Sequence, residues 1–301
     1  MAARSTKIKL ITFDAYNTLF KPRGNLTSLY ALEASYHGIA VSKDSINEHF
    51  GRLYRQQLDQ KPFYGTEQGL SVRNWWEELV YTTYVHAGVS KKGIACITLN
   101  ITQNIDMSLL MYIDLDPKFD KLFTGLFDRF THQKYYDLFP DVTPTLEFLK
   151  KTGFCTGVIS NTDERIIPVL KNLKLDKYFN FILSSVHAGS EKPSRQIFEK
   201  ARSLSGKSIL PDEVLHIGDD EEKDYQGALN AGENAVFLNR GTVKAEQVNA
   251  IPLTSLFHHS GRIPYEDTPE NITACKAKSA NYTSILSLNE LYPLMCNNFK
   301  P

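Results

Sequence analysis

Four stretches far apart in the chain carry side chains able to do chemistry, and each follows a run with strand character. Asp14 and Thr18 come after Ile8 to Phe13, and Ser160 and Asn161 come after Thr156-Gly157-Val158-Ile159. Lys192 lies in Gly189-Ser190-Glu191-Lys192-Pro193, beyond the strand-like Phe181 to Ser184. Asp219, Asp220 and Asp224 follow Val214-Leu215-His216-Ile217. In an open parallel sheet, ligands gather beyond the carboxyl ends of the strands, so a carboxylate at such an end points at a candidate site. Each stretch alone has a plainer reading. A strand-end aspartate commonly satisfies backbone donors in a turn, and a lysine is most often solvated at the surface. Their shared position after successive strands marks them as one site.

The elements between these stretches must set that position. From Lys21 to about Lys134, apolar and aromatic residues recur at helical spacing. Examples are Leu29, Leu32 and Tyr36, then Phe50, Leu53, Tyr54 and Leu58, then Trp75, Trp76, Leu79, Val80 and Tyr84. Leu109, Leu110 and Ile113 continue the habit, as do Leu122, Leu126, Phe127 and Phe130. This predicts an insertion of four or more helices, with both tryptophans in its core.

After residue 139 the texture changes. Pro140-Asp141-Val142-Thr143-Pro144 opens a helix over Thr145 to Lys151, with Asp141 and the prolines suited to its start. Strands over 156–159, 181–184, 214–217 and 235–238 alternate with helices around 166–173, 196–203 and 225–231. Such alternation predicts a parallel sheet covered by helices on both faces. Residues 241–281 are poorer in periodic signal. The adjacent His258 and His259 have no companion at ligand spacing, so a loop is expected there. Tyr282 to Met295 reads as a closing strand and helix.

Charge and composition exclude several classes. Lys plus Arg (34) equals Asp plus Glu (34), with no long block of either sign, which argues against a nucleic-acid or anionic-membrane partner. No apolar run is long enough to span a bilayer. Cys96, Cys155, Cys275 and Cys296 are widely spaced, form no metal-ligand pair and read as thiols of a reducing compartment. Met1 to Thr6 is too short for a secretory signal or transit peptide, so an intracellular protein of the cytoplasm or nucleus, not a secreted one, is expected.

Asp14-Ala15-Tyr16-Asn17-Thr18, Ser160-Asn161, Lys192-Pro193 and Gly218-Asp219-Asp220…Asp224 together resemble the four motifs of the haloacid dehalogenase (HAD) superfamily. The resemblance implies an α/β fold: a Rossmann-like three-layer core with a parallel sheet plus an inserted all-helical cap domain. The core would comprise residues 1–20 and 137–301, with a loop-rich insertion at 241–281, and the cap residues 21–136. The cap would close over the site, excluding water and choosing substrate.

The resemblance also implies roles. Asp14 would be the nucleophile, passing through a covalent aspartyl intermediate that water hydrolyses. Lys192 and Ser160 would stabilise the arriving phosphoryl charge, with Asn161 and Thr18 adding hydrogen bonds. Mg²⁺ would be held by the Asp14 carboxylate, the backbone carbonyl of Tyr16 and Asp219. Asp224, with Asp220 as a second candidate, would orient its waters.

One position departs from the superfamily's phosphatases, which carry an acid two residues after the nucleophile. Here that residue is Tyr16. An unperturbed tyrosine, with a pKa of about 10, is a poor proton donor at neutral pH. Loss of general acid catalysis costs about 10²- to 10⁴-fold, so alkyl phosphates should react slowly. Asp-Ala-Tyr also resembles the wording of 2-haloacid dehalogenases, which expel halide and need no proton donor. Against that stands the acidic fourth motif, whose carboxylates beside Asp14 would repel one another without a cation. The expectation is a Mg²⁺-dependent hydrolase of a small phosphorylated substrate. A dehalogenase and a catalytically weak binding protein are the alternatives.

Overall fold

The computed structural model describes residues 8–25, 27–89, 117–240 and 284–291. The apolar positions Leu109, Leu110 and Ile113, the 241–281 loop and the chain beyond residue 291 lie outside the described residues. Two compact units are formed: one runs up to Arg23 and resumes at Thr131, and the other spans Gly24 to Phe130.

In chain order the strands of the first unit are β1 (Leu10–Phe13), β2 (Phe20–Pro22), β3 (Tyr136–Leu138), β4 (Cys155–Ser160), β5 (Phe181–Ser184), β6 (Val214–Gly218), β7 (Asn234–Leu238) and β8 (Ser284–Ile285). Six of them form a parallel sheet in the order β5-β4-β1-β6-β7-β8. Every residue of β1, β4 and β6 is buried, as expected of central strands covered on both faces. The helices Val142–Lys151 and Arg195–Leu204 both pack against β4. Ile197, Phe198 and Ala201 of the second meet Ile159, Leu183, Tyr225 and Ala228 in one core cluster.

Register is what aligns the chemistry. Phe13 stands opposite Val158 on one side and Ile217 on the other. The carboxyl ends of three central strands are therefore level to within a residue or two. Chain order also reverses at β1, since β4 and β5 lie to one side and β6 to β8 to the other. This is the switch point where α/β sheets open a crevice.

Two features differ from the pattern in the sequence. β2 and β3 pair antiparallel, Phe20 with Leu138 and Pro22 with Tyr136, which keeps both strands with the α/β unit. Each has only three residues, too few for any periodicity to show. The helix expected from Thr145 begins instead at Val142, and Asp141 makes no side-chain cap to it. Its Oδ2 accepts from Ser287 Oγ (2.6 Å), Leu288 N–H (2.8 Å) and Arg240 Nη1 (3.1 Å). Burial opposes ionisation, but these donors prevail and hold the Asp141 carboxyl below its ordinary range. Asp141 thus ties the segment after β8 to the unit.

The second unit is helical throughout its described elements: Thr27–Tyr36, Lys43–Gln60, Val72–His86 and Pro117–Arg129, with a 3₁₀ stretch at Phe63–Gln68. Ser42 and Ser71 cap two of these helices by accepting the N–H groups of Ser45 and Asn74. Trp75 and Trp76 are buried against Tyr54 and Tyr64, as their spacing predicts. Among the described residues, no helix is long and apolar enough to cross a membrane.

Gly157 in β4 lies directly opposite Phe181 in β5, and a Cβ at 157 would overlap the Phe181 ring. Gly157→Ala should therefore destabilise the protein by about 1–3 kcal/mol through overpacking. Urea unfolding followed by circular dichroism measures this, and an unchanged midpoint would mean the half-buried ring swings aside freely.

Candidate active site

Asp14 directly follows β1, and its N–H donates to the Ile217 carbonyl of β6 at 2.9 Å. Its carboxylate is buried and meets Lys192, which is 2% exposed. The Lys192 ammonium donates to Asp14 Oδ1 (2.7 Å), Asp224 Oδ1 (2.6 Å) and the Ile159 carbonyl (2.8 Å). An ammonium has three hydrogens, so all are spent. The loop carrying Lys192 is fixed by Asn161, whose amide donates to the Lys192 carbonyl (2.7 Å) and accepts its N–H (2.8 Å). Ser160, at the end of β4, is buried and accepts from the Thr162 hydroxyl at 3.1 Å.

The turn after β1 is shaped by Asn17, which adopts φ +57°. Asparagine is among the few side chains that tolerate this left-handed conformation. Asn17 also hydrogen-bonds Asp219, and the Thr18 hydroxyl donates to Asp219 Oδ1 at 3.3 Å. On the turn's other side, Arg240 grips the Thr18 carbonyl with Nε (3.0 Å) and Nη2 (2.7 Å) while stacking 3.9 Å from the Phe139 ring centroid.

Asp224 comes from a single π-helical turn, Glu221–Gln226, that follows β6. Asp220 builds that turn, its Oδ1 accepting the N–H groups of Glu222 (3.0 Å) and Lys223 (2.8 Å), and it lines the same pocket as Asp14. Asp224 lies against Gly218, where any Cβ would overlap its carboxylate. Its Oδ2 accepts the Asp220 N–H (3.0 Å), and its Oδ1 is 3.2 Å from His216 Nε2.

His216, fully buried in β6, also contacts the Thr12 hydroxyl through Nδ1 at 2.8 Å. Burial pushes its pKa down, so the ring is neutral and has one donor and one acceptor. A carboxylate only accepts, hence Nε2–H donates to Asp224 and Nδ1 accepts from Thr12. Asn17, His216 and Arg240 escape sequence reasoning. The one visible signal was a polar residue, His216, inside an apolar strand run.

The electrostatics follow from crowding. Burial raises the Asp14 carboxyl to about 6 despite Lys192, with the Asp224 charge adding to the rise. Asp219, half-buried, is pushed well above its usual range by lost hydration and by Asp14 and Asp224. Burial opposes the charge of Asp224 as well, but Lys192 and His216 outweigh it and hold this carboxyl down. Asp14, Asp219 and Asp224 each offer an oxygen within 4.8 Å of the others. Asp14 Oδ2 is buried with no hydrogen-bond partner. Three carboxylates against one spent ammonium, with an orphaned buried oxygen among them, fit the donor set of a hard divalent cation. Both Asp224 oxygens already serve protein donors, whereas Asp14 Oδ2 is free, so Asp14 and Asp219 are the better direct ligands.

Tyr16 sits among aromatic rings, 4.8 Å from Phe20 and 6.1 Å from Tyr136 between centroids. Its hydroxyl shares a hydrogen bond with Tyr136, and burial together with that neighbour drives its pKa well above the ordinary tyrosine value. A buried bidentate pair, Arg165 Nε and Nη2 on Asp163 at 2.9 and 2.5 Å, adds to the field around it. As a proton donor Tyr16 is weaker than its type suggests. A separate cavity of about 670 Å³ between Arg23, His132, Lys134 and Asn172 holds no such cluster, and its Asp137 is paired with Arg23 at 2.7 Å.

This constellation on a parallel sheet defines a class of aspartate-based hydrolases. A family profile described as haloacid dehalogenase-like hydrolase matches residues 8–232, and the chain belongs to that family. It is 30% identical over 240 residues to haloacid dehalogenase-like hydrolase domain-containing protein 3 of Mus musculus, covering 80% of this chain and 85% of that one. Among solved structures it is similar to a 2-haloacid dehalogenase from Pseudomonas syringae pv. Tomato (TM-score 0.57, 21% identity, 96% and 98% of the two chains). It is also similar to a HAD phosphatase from Thermococcus onnurineus (TM-score 0.54, 19% identity, 98% and 100%). At these identities the likeness is one of fold, and it favours neither chemistry.

Divalent-ion affinity should depend on pH with a definite sign. Metal binds the ionised carboxylates, and Asp14 loses its proton only near 6. Affinity is expected to climb as pH rises through that value, with protons released on binding. Calorimetric titration in buffers of different ionisation enthalpy reads both effects. Constant affinity within about one unit either side of that pKa would contradict the cluster's role.

Proposed function

We propose that this protein is a Mg²⁺-dependent phosphohydrolase that uses Asp14 as nucleophile on a small phosphorylated substrate. The observation that carries this reading is the Asp14–Asp219–Asp224 cluster with the unpartnered Asp14 Oδ2. A haloacid substrate offers no reason to gather that much negative charge, whereas a metal-bound phosphoryl group does.

The proposed reaction has two displacements. The Asp14 carboxylate attacks phosphorus, the ester oxygen leaves with the electron pair of the broken P–O bond, and the phosphoryl group rests on Asp14. Water then attacks the phosphorus of this acyl phosphate, restoring the carboxylate and releasing inorganic phosphate. Lys192 holds the Asp14 carboxylate in place, and Ser160 and Asn161 line the same pocket as hydrogen-bonding groups for phosphoryl oxygens. Asp14, the Tyr16 carbonyl and Asp219 would hold Mg²⁺, with Asp224 behind them. The ion, when bound, supplies Lewis-acid stabilisation of the transferring charge.

Tyr16 favours a second reading. With no carboxylic acid at this position, the site suits leaving groups that need no proton, as halide does not. The dehalogenase is therefore retained as the competing chemistry.

Purified protein with Mg²⁺ should hydrolyse aryl and acyl phosphates at least about 10²-fold faster than alkyl phosphates, the deficit expected where general acid catalysis is missing. Asp14→Asn or chelation should abolish turnover. Tyr16→Phe should change aryl phosphate hydrolysis by far less than the roughly 10²-fold of a lost acid. Equal rates on alkyl and aryl esters would refute the reading of Tyr16. Chloride release from 2-chloropropionate that survives chelator would establish the dehalogenase instead.

A further inference from the structure

Beside the cluster lies a second lysine that nothing above employs. Lys223 occupies the π-helical turn between Asp220 and Asp224, and it lines the same small pocket as Asp14, Ser160, Asn161, Lys192, Asp220 and Asp224. It is 7% exposed, and its Nζ is buried with no hydrogen-bond partner. The nearest carboxylate oxygen paired with it, Asp220 Oδ2, is 4.0 Å away, beyond hydrogen-bonding reach. Asp220 meanwhile spends its other oxygen on the backbone of the turn, including the Lys223 N–H. An ammonium taken out of water without an acceptor is costly, and such groups normally snorkel to the surface. The carboxylates of Asp220 and Glu191 lend it opposite charge, yet Nζ has no hydrogen-bond partner, so its place beside the pocket fits an acceptor that arrives with the ligand.

Lys192 cannot fill that need. Its three hydrogens are committed to Asp14, Asp224 and the Ile159 carbonyl. An oxyanion entering the pocket therefore meets a lysine whose hydrogens are all committed and another whose ammonium makes no hydrogen bond. We propose that Lys223 is the substrate-binding cation of this site, donating from Nζ to an anionic oxygen of the phosphoryl group that Asp14 attacks. The assignment rests on the phosphohydrolase reading and sharpens it. Charge selection falls to Lys223, attachment to Asp14, and Lys192 serves as the internal counter-ion that keeps Asp14 in place. Neutral or singly charged substrates such as haloacids would gain less from this donor than a phosphate dianion.

The test uses the full chain with Mg²⁺ and inorganic phosphate as the probe, comparing wild type, Lys223→Met and Lys223→Arg by calorimetry. Removing one charge-assisted hydrogen bond should weaken phosphate binding by about 10- to 100-fold in Lys223→Met, and Lys223→Arg should recover most of it. KM for an aryl phosphate should rise by a similar factor. The ligand-free Lys223→Met protein should melt at or above the wild-type temperature, because a buried ammonium without a hydrogen-bond partner has been removed. A binding residue gives this combination, and a structural one does not. Wild-type phosphate affinity retained in Lys223→Met would overturn the assignment while leaving the phosphohydrolase reading intact. A lowered melting temperature for Lys223→Met would overturn it too, by showing that the fold needs the ammonium. If wild type neither binds phosphate nor cleaves any phosphate ester, both readings fall together.

Discussion

The ion triad of Lys192 with Asp14 and Asp224, closed by the Ile159 carbonyl, is the constraint to which the rest of the α/β unit answers. All three charged side chains are almost wholly removed from solvent. Desolvating such a set is expensive, and breaking a buried pair by removing one partner typically costs about 3–5 kcal/mol because it strands the other charge. An arrangement of this kind persists only where the surrounding backbone holds every donor on its acceptor. The level carboxyl ends of β1, β4 and β6 do that. They bring Asp14, Ile159 and the turn bearing Asp224 within reach of one ammonium.

Around the triad, each loop is held by a bond that its own sequence does not advertise. Asn161 clasps both peptide groups of Lys192. His216 reaches from within β6 to Asp224 and is itself oriented by Thr12 from β1. Arg240 grips the Thr18 carbonyl, is paired with Asp141, and through Asp141 meets Ser287 and Leu288 beyond β8. The turn after β1 is thus braced from two directions. Positioning of this kind matters for hydrolases, where orientation and fixed charge supply most of the acceleration.

Tyr16 shows how a packing environment narrows chemical choice. A tyrosine at the acid position could in principle donate a proton, but burial and the Tyr136 hydroxyl raise its pKa rather than lower it. The ring packs with Phe20 and Tyr136, two residues brought together by the β2–β3 pairing. A carboxylic acid in that aromatic setting would lose its hydration. The substitution and its surroundings are therefore consistent with each other.

Much of this was legible in the chain. The buried strands declared themselves because short, mainly apolar runs such as Leu10 to Phe13 and Val214 to Ile217, each broken by one polar residue (Thr12, His216), sit beside turn residues and admit little else. Trp75, Trp76, Leu79 and Tyr84 repeat at helical spacing and were readable as core for the same reason. Asp14, Ser160, Asn161, Lys192 and Asp219 stood out because each follows a strand, and strand ends face one side of a parallel sheet. The pairing of Phe20–Pro22 with Tyr136–Leu138 was hidden, since three residues show no period and their partner lies over a hundred positions away. Asp141 looked like a helix cap and became a long-range acceptor, because Arg240, Ser287 and Leu288 outbid its own helix. Residue types and the alternation of strands and helices along the chain, both local properties, were determined by the sequence alone. Which lysine has committed its hydrogens and which makes no hydrogen bond from its ammonium, and which carboxylate oxygen lacks a partner, only the tertiary structure decided. Those states depend on distances between groups far apart in the chain, set by sheet register.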